Sequence, residues 1–237
     1  MRSEFEIRWY FQKLGGIYAD NVVKTVDPAG LLFHKIDPDR LIGCIAYPAA
    51  VISAPGTIRH IEGNRFPVGE LDGSDSDRIQ MISSVFTAAG LRSRVLDDIR
   101  SEIWLKLWGN LTFNPISALT HSTLVDICQY PKTRELATLM MTEAQAVGER
   151  LGARFRVPLQ KRIAGAEGVG SHKTSMLQDL EAGKPMEIEG LLGVVIELAE
   201  MTGIEVPTLR AVYACVSLLD ETVRTKRIYV RGQTTEG

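Results

Sequence analysis

The sequence predicts a mixed α/β segment over residues 1–98, an all-helical segment over residues 99–224 and a flexible polar tail over residues 225–237. Before residue 98, the apolar residues fall in short runs that glycine or proline closes, which is typical of strands. After residue 98, they recur every three or four positions over long stretches, which is typical of helices. This change of period places the predicted domain boundary.

Three short apolar runs predict strands in the first segment: residues 41–47, Thr57–Glu62 and residues 65–69. A helical period follows over residues 74–89 and stops at Gly90, and residues 94–96 are a candidate for one more strand. In the second segment, the period predicts helices over these residues: 99–119, 132–151, 158–167, 186–201 and 207–223.

Composition argues against several classes of function. The chain has 237 residues, of which 45% are hydrophobic, and a formal net charge of −2. A chain of this length can bury a core, and its nearly neutral charge gives no reason to expect a nucleic acid or an anionic membrane as partner. No apolar run approaches the roughly 18 residues of a membrane span, and the first residues lack a secretory signal. We therefore expect a soluble, cytoplasmic protein.

The cysteines and histidines give no indication of a metal site. Cys44, Cys128 and Cys215 are far apart and odd in number, so we expect reduced thiols rather than disulfides or zinc ligands. The histidines show no ligand spacing either: His34, His60, His121 and His172.

A narrow polar line runs along the predicted helix 99–119. Glu102, Lys106, Asn110 and Asn114 are each four residues apart, so their side chains stack on one side of the helix, between apolar residues. A partly desolvated lysine beside two amides can protonate or polarise a carbonyl oxygen. The alternative is the solvated edge of an amphipathic helix with an ordinary Glu102–Lys106 ion pair, and the line alone does not decide between them.

A second polar cluster lies at residues 171–179 and precedes the turn at residues 181–185. Ser175 belongs to it, and Glu187 and Glu189 follow the turn. Ser175 is also an ordinary residue for a helix start, and acids in a first helical turn are favoured by the helix dipole, so both structural and functional interpretations remain open.

Together these residues resemble the signature of a known family. The first motif is Lys106-Leu107-x-x-Asn110-x-x-x-Asn114-Pro115-Ile116-Ser117-Ala118-Leu119. The second is Thr174-Ser175-Met176-Leu177-Gln178-Asp179, with Glu187 twelve residues after Ser175. Their order and separation closely resemble the ketopantoate reductase (2-dehydropantoate 2-reductase) family, over most of the chain from about residue 8 to about residue 219.

The resemblance implies an NADPH-dependent reduction of ketopantoate, or a related 2-oxo acid, to pantoate in pantothenate biosynthesis. It implies Lys106 as the general acid, and Asn110 and Asn114 as ligands of substrate hydroxyl and carboxylate groups. Ser175 would bind the carboxylate, and Glu187 would orient the terminal hydroxyl or support the lysine. It also implies a Rossmann-type NADP-binding domain, followed by a helical domain similar to the C-terminal domain of 6-phosphogluconate dehydrogenase.

The chain departs from the family pattern at its amino terminus, because no Gly-x-Gly-x-x-Gly follows a strand. We therefore expect residues 1–98 to be a C-terminal remnant of the Rossmann-type domain, with an unpaired edge and exposed apolar surface near residues 41–69. The residues that bind the cofactor are not identified. The alternative function is a truncated, inactive helical or dimerisation module of the family, and a homodimer through residues 186–201 and 207–223 is left open.

Overall fold

The computed structural model describes residues 9–226, apart from the side chains of Val51 and Ile52, as small sheets followed by a helical bundle. The first part contains α1 (Leu31–Lys35), a 3₁₀ turn (Pro38–Arg40), β1 (Gly43–Cys44), β2 (Ala49–Ala54), β3 (Thr57–Glu62), β4 (Val68–Gly69) and α2 (Asp77–Ala88). The bundle contains α3 (Ile99–Thr120), α4 (Leu124–Gln129), α5 (Pro131–Arg150), α6 (Leu159–Glu167), α7 (Ser175–Glu181), a π-helical turn (Glu189–Gly193), α8 (Val194–Thr202) and α9 (Pro207–Lys226). This order confirms the predicted fold class.

The strands form two antiparallel pairs. β1 pairs with β4, with Gly43 opposite Gly69, and β2 pairs with β3 in a hairpin. The hairpin turns at Gly56, whose φ of 76° is a conformation that glycine adopts without strain. Ile58 and Ile61 on β3 are 73% and 50% exposed. The hairpin therefore presents apolar surface, as expected for residues 41–69.

A parallel connection links β4 to residues 92–96 through α2. Val68 pairs in parallel with Val95, and the Leu96 amide donates to the Val68 carbonyl at 2.8 Å. Parallel strands need a crossover, which α2 supplies. Ser76 caps α2 by accepting from the Ile79 amide at 3.3 Å. The predicted helix 74–89 is confirmed, and the predicted strand 94–96 is reduced to an isolated bridge.

Several local predictions need correction, among them the strand over residues 65–69, of which only β4 (Val68–Gly69) forms. The run 41–47 forms only the short strand β1. A second strand, β2, begins at Ala49, directly after Pro48, since a proline at the start of a strand does not prevent pairing. Helices α1 and α4 were missed, since five or six residues are too few to show a helical period.

The helix predicted over 186–201 was also wrong at its start. It begins at Glu189 with a π-helical turn, and the Met186 amide donates instead to Asp220 at 3.0 Å. Within this turn Gly193 faces Thr25, and a Cβ there would lie 3.0 Å from the Thr25 methyl group. The absence of a side chain at Gly193 therefore suits the close approach of these two segments.

One hydrophobic core joins both parts of the molecule. Its largest fully buried side chains include Tyr10 and Phe11 from the first part, and Trp104 and Trp108 from α3. Arg100 donates to the backbone carbonyls of Tyr10 and Gln12 at 2.9 and 2.6 Å, and burial lowers the pKa of its guanidinium. The segment that follows residue 9 is thus fixed on the bundle.

The apolar face of α8 faces this same core. Its buried residues are Val194, Val195, Ile196, Leu198 and Ala199. Ordinary core packing therefore accounts for the apolar pattern that had left a dimer contact open at residues 186–201. No helix between residues 9 and 226 is both long and apolar enough to cross a membrane.

Glu143 of α5 holds the start of α9. Its two carboxylate oxygens accept from the amides of Thr208 and Leu209, each at 2.9 Å. These amides lie in the first turn of α9, where backbone N–H groups lack helical partners and the dipole favours negative charge. A side chain from another helix therefore replaces the usual cap.

We predict that Glu143→Ala destabilises the fold by about 1–2 kcal/mol, since a helix cap contributes this much. Glu143→Gln should cost less, because the amide keeps one acceptor oxygen. Urea denaturation followed by circular dichroism measures both. Glu149→Ala, at an exposed position of the same helix, is the matched control, and an equal loss in that variant would contradict the capping role.

Candidate active site

Helix α3 forms the wall of the candidate site. Asp98 caps it by accepting from the Ser101 amide at 3.0 Å and the Ser101 hydroxyl at 2.6 Å. The two indole N–H groups on its buried face are satisfied: Trp104 donates to the Tyr10 hydroxyl at 2.8 Å, and Trp108 donates to the Met141 carbonyl at 2.7 Å. The helix packs against α4, α5, α7 and α9. These contacts fix its rotation, and hence the direction of its polar line.

The predicted polar line is present on α3. Lys106 and Asn110 are half-buried, and Asn114 is only 7% exposed. All three lie on one side of a single uninterrupted helix, from Ile99 to Thr120. Burial is greatest at the carboxyl-terminal end of the line, at Asn114, so the line is not a fully solvated edge of the helix.

Ser175 meets the end of this line. The Asn114 Nδ2 atom donates to the Ser175 hydroxyl oxygen at 3.4 Å, across 61 residues of sequence. Ser175 is the first residue of α7, which packs against α3. The structure therefore brings together two predicted site residues from separate motifs.

Thr174, not Ser175, caps α7. The buried Thr174 side chain accepts from the Leu177 amide at 3.3 Å, while Ser175 is exposed. Ser175 does stand at a helix start, as the first residue of α7, but Thr174 supplies the cap. The Ser175 hydroxyl is directed to Asn114 and is not needed to start the helix.

Glu187 precedes the helical turn that starts at Glu189. It is half-buried, between the buried residues Met186 and Ile188. Glu189 lies in the first turn and accepts from the Tyr213 hydroxyl at 2.7 Å. A favourable interaction with the helix dipole therefore explains the position of Glu189. It does not explain Glu187, which lies outside the helix.

A further polar cluster surrounds Glu102, and its members Tyr47 and Arg65 were not predicted from the sequence. The Tyr47 hydroxyl donates to the Oε1 atom of Glu102 at 2.5 Å, and the Arg65 Nη2 atom lies 3.4 Å from the same oxygen. The Arg65 guanidinium also covers the Tyr47 ring, 4.3 Å from its centroid. Burial and the bond to Glu102 raise the pKa of Tyr47 well above its ordinary value, so the phenol stays protonated as a donor.

Arg162 of α6 completes this cluster. Its guanidinium lies on the bare backbone of α3 at Gly109, where a Cβ atom would lie 2.9 Å from Cζ and collide with Nη2. Burial lowers the pKa of Arg162, and the nearby Tyr47 opposes this effect. The one sequence signal is Gly109 itself, because glycine inside a helix costs about 1 kcal/mol relative to alanine.

The family described as "Ketopantoate reductase PanE/ApbA C terminal" matches residues 98–220, which include every predicted site residue. The chain belongs to the ketopantoate reductase family. The 2-dehydropantoate 2-reductase of Mesorhizobium japonicum is 52% identical to this family member over 211 residues, which make up 89% of this chain and 65% of the relative. The chain thus spans slightly less than two thirds of that curated relative.

Solved structures agree with this assignment. A protein from Ralstonia solanacearum, assigned as a ketopantoate reductase, superimposes with a TM-score of 0.85 at 32% identity, over 93% of this chain and 67% of its own. The 2-dehydropantoate 2-reductase of Methylococcus capsulatus gives 0.73 at 28% identity, over 88% and 68% of the two chains. The ketopantoate reductase fold therefore extends across both parts of this family member, the small sheets as well as the helices.

We predict that Thr174→Ala destabilises the protein by about 1 kcal/mol through loss of the α7 cap. Ser175→Ala should change stability by less than about 0.5 kcal/mol, as expected for an exposed side chain that caps nothing. Thermal or urea unfolding of the two neighbouring variants makes the comparison. A larger loss of stability for Ser175→Ala than for Thr174→Ala would show that Ser175 has a structural role.

Proposed function

We propose that this chain binds a small 2-oxo acid, ketopantoate or a close relative, and delivers the proton that completes reduction of its oxo group. The observation that carries the proposal is the Asn114–Ser175 contact, which joins the two motifs at the end of the Lys106 line. It is supported by the Mesorhizobium relative, whose name is 2-dehydropantoate 2-reductase. Reduction of ketopantoate gives pantoate, in pantothenate biosynthesis.

Each predicted residue receives one role in this proposal. The Lys106 ammonium polarises the substrate carbonyl and donates a proton to its oxygen. Asn110 and Asn114 bind substrate hydroxyl and carboxylate oxygens from the same helix face, and Ser175 donates to the carboxylate. Glu187 orients the terminal hydroxyl or supports the lysine. A rigid helix suits this work because all three α3 side chains must reach one small molecule.

The turn from β4 to α2 does not fit the pyrophosphate of the NADPH that the family resemblance implies. The turn from β4 to α2, at residues 70–76, is acidic rather than glycine-rich. Ion pairing with Arg78 lowers the pKa of Glu70, and hydrogen bonds from Ser74 lower that of Asp72, so both are charged at neutral pH. Two carboxylates at the start of a helix repel phosphate. No residue of this turn is therefore assigned to the cofactor, and the roles proposed here are substrate binding and proton delivery.

The domain division at residues 98 and 99, a cytoplasmic location and a homodimer are further parts of the proposal. Family membership of the segment 98–220 supports the helical domain as a unit. A Staphylococcus aureus ketopantoate reductase described as dimeric supports the homodimer. Sedimentation velocity of the purified chain tests the oligomeric state directly.

The first experiment is a fluorescence titration of the 237-residue chain with NADPH, in the presence and absence of ketopantoate. Binding that ketopantoate strengthens would support a reductase, and turnover would then be assayed. No binding of either compound would favour the alternative, a helical module of the family without catalysis.

We predict that Lys106→Ala lowers the rate of ketopantoate reduction about 100- to 10,000-fold, the range for loss of a general acid. The melting temperature should change little, because the side chain is only half-buried. Lys132→Ala, at an exposed position of α5, is the matched control and should retain the rate. An unchanged rate in the Lys106 variant would remove this residue from its role.

Glu187→Gln should weaken ketopantoate binding more than it lowers stability. Glu189→Gln is its matched control, two residues away and bonded to Tyr213, and should show the opposite pattern. Calorimetric titration and thermal unfolding of both variants give the two quantities. A fall in melting temperature without weaker binding in Glu187→Gln would contradict its role toward the substrate.

A further inference from the structure

Arg162 is half-buried, and no described side chain forms an ion pair with its guanidinium. Its Nε atom is buried and lacks a hydrogen-bond partner. Within residues 9–226, no carboxylate lies within 4.0 Å of its guanidinium. A half-buried guanidinium without a carboxylate loses part of its hydration, and no ion pair offsets this loss. An anionic ligand would supply the missing partner.

The position of this guanidinium links it to the candidate site. Gly109 lies one turn after Lys106 and directly before Asn110, on the same helix. At 1.5 Å of rise per residue, Gly109 is about 4.5 Å along the axis from Lys106. The guanidinium that rests on Gly109 therefore contacts α3 one residue before Asn110, beside the polar line.

The neighbouring charges leave the cluster short of anions. Arg162 and Arg65 both lie near Tyr47, and among the described residues this cluster holds one carboxylate, Glu102. The Oε1 atom of Glu102 already accepts from Tyr47 and lies within ion-pair distance of Arg65. Tyr47 cannot serve as the anion, since its pKa is raised by burial and by Glu102.

We propose that Arg162 is an oxyanion-binding residue of the Lys106 site. Its N–H groups would donate to a carboxylate of the 2-oxo acid or to phosphate oxygens of the cofactor, and Gly109 provides the space that its guanidinium needs. The proposal rests on the proposed function and extends it, because neither sequence motif includes α6. Arg162 and Ser175 would then flank Lys106 from two sides.

The test is calorimetric titration of the full chain with three probes: ketopantoate, its uncharged lactone and NADPH. Arg162→Met should bind the relevant anion about 10- to 100-fold more weakly, as expected for loss of hydrogen bonds to a charged group. Arg162→Lys should recover only part of the affinity, since the ammonium lacks the planar fork. Lys161→Met, the exposed neighbour on α6, should bind as the parent does.

The probes distinguish the source of the anion. Weaker binding of ketopantoate with unchanged binding of the lactone assigns Arg162 to the substrate carboxylate. Weaker binding of NADPH alone assigns it to a cofactor phosphate. Unchanged affinity for both anions overturns the proposal. Equal weakening of all three probes with a lower melting temperature also overturns it, because Arg162 would then be structural.

Two further measurements keep the outcome decisive. Gly109→Ala retains every donor but displaces the guanidinium, so it should weaken binding of the same anion while the melting temperature holds. If the parent binds none of the three probes, the proposed function fails. Anion binding by Arg162 is then tested separately by nuclear magnetic resonance. Its Nε–Hε signal, assigned from its absence in Arg162→Lys, should shift on addition of pyruvate or inorganic phosphate. A signal that neither anion moves would overturn the inference.

Discussion

Burial of helix α3 determines the rest of this structure. The helix is 22 residues long and 15 of them are buried, and four other helices and the π-helical turn pack on it. A helix buried to this extent must satisfy its polar groups internally, and both tryptophan N–H groups find an acceptor in another element. Because those acceptors come from Tyr10 and from α5, they fix the rotation of α3 about its axis. The rotation in turn decides which narrow strip remains for a ligand.

The same constraint couples the small sheets to the helical bundle. Arg100, in the first turn of α3, donates to carbonyls of residues 10 and 12, and Glu102 accepts from Tyr47. Glu197 of α8 accepts from the amides of Lys24 and Thr25, both at 2.7 Å. Charged groups at helix positions therefore hold irregular backbone that has few partners of its own. The interface is specified by directed hydrogen bonds in addition to apolar packing.

Sequence periodicity predicted the long elements and one face of the site. Helices over residues 99–119, 132–151 and 207–223 were predicted close to their true bounds, since each shows several turns of pattern. The line from Lys106 to Asn114 followed from helical geometry alone. The short elements α1, α4 and β2 and the π-helical turn at Glu189 were not predictable in this way, because tertiary contacts determine them. A contact between distant residues, such as that of Arg162 with Gly109, produces no periodic pattern in the sequence from which it could be predicted.

Gly109 shows how the two halves of the site depend on each other. Glycine within a helix costs about 1 kcal/mol relative to alanine, and no turn or left-handed backbone requires it here. Its position is explained by the arginine that occupies the space of the missing side chain. That arginine is half-buried, and among the described residues no carboxylate offsets the partial loss of its hydration. Gly109 and Arg162 are therefore both unfavourable for stability, and they lie in contact beside the lysine of the candidate site. This pattern favours a role in ligand binding over a role in the fold.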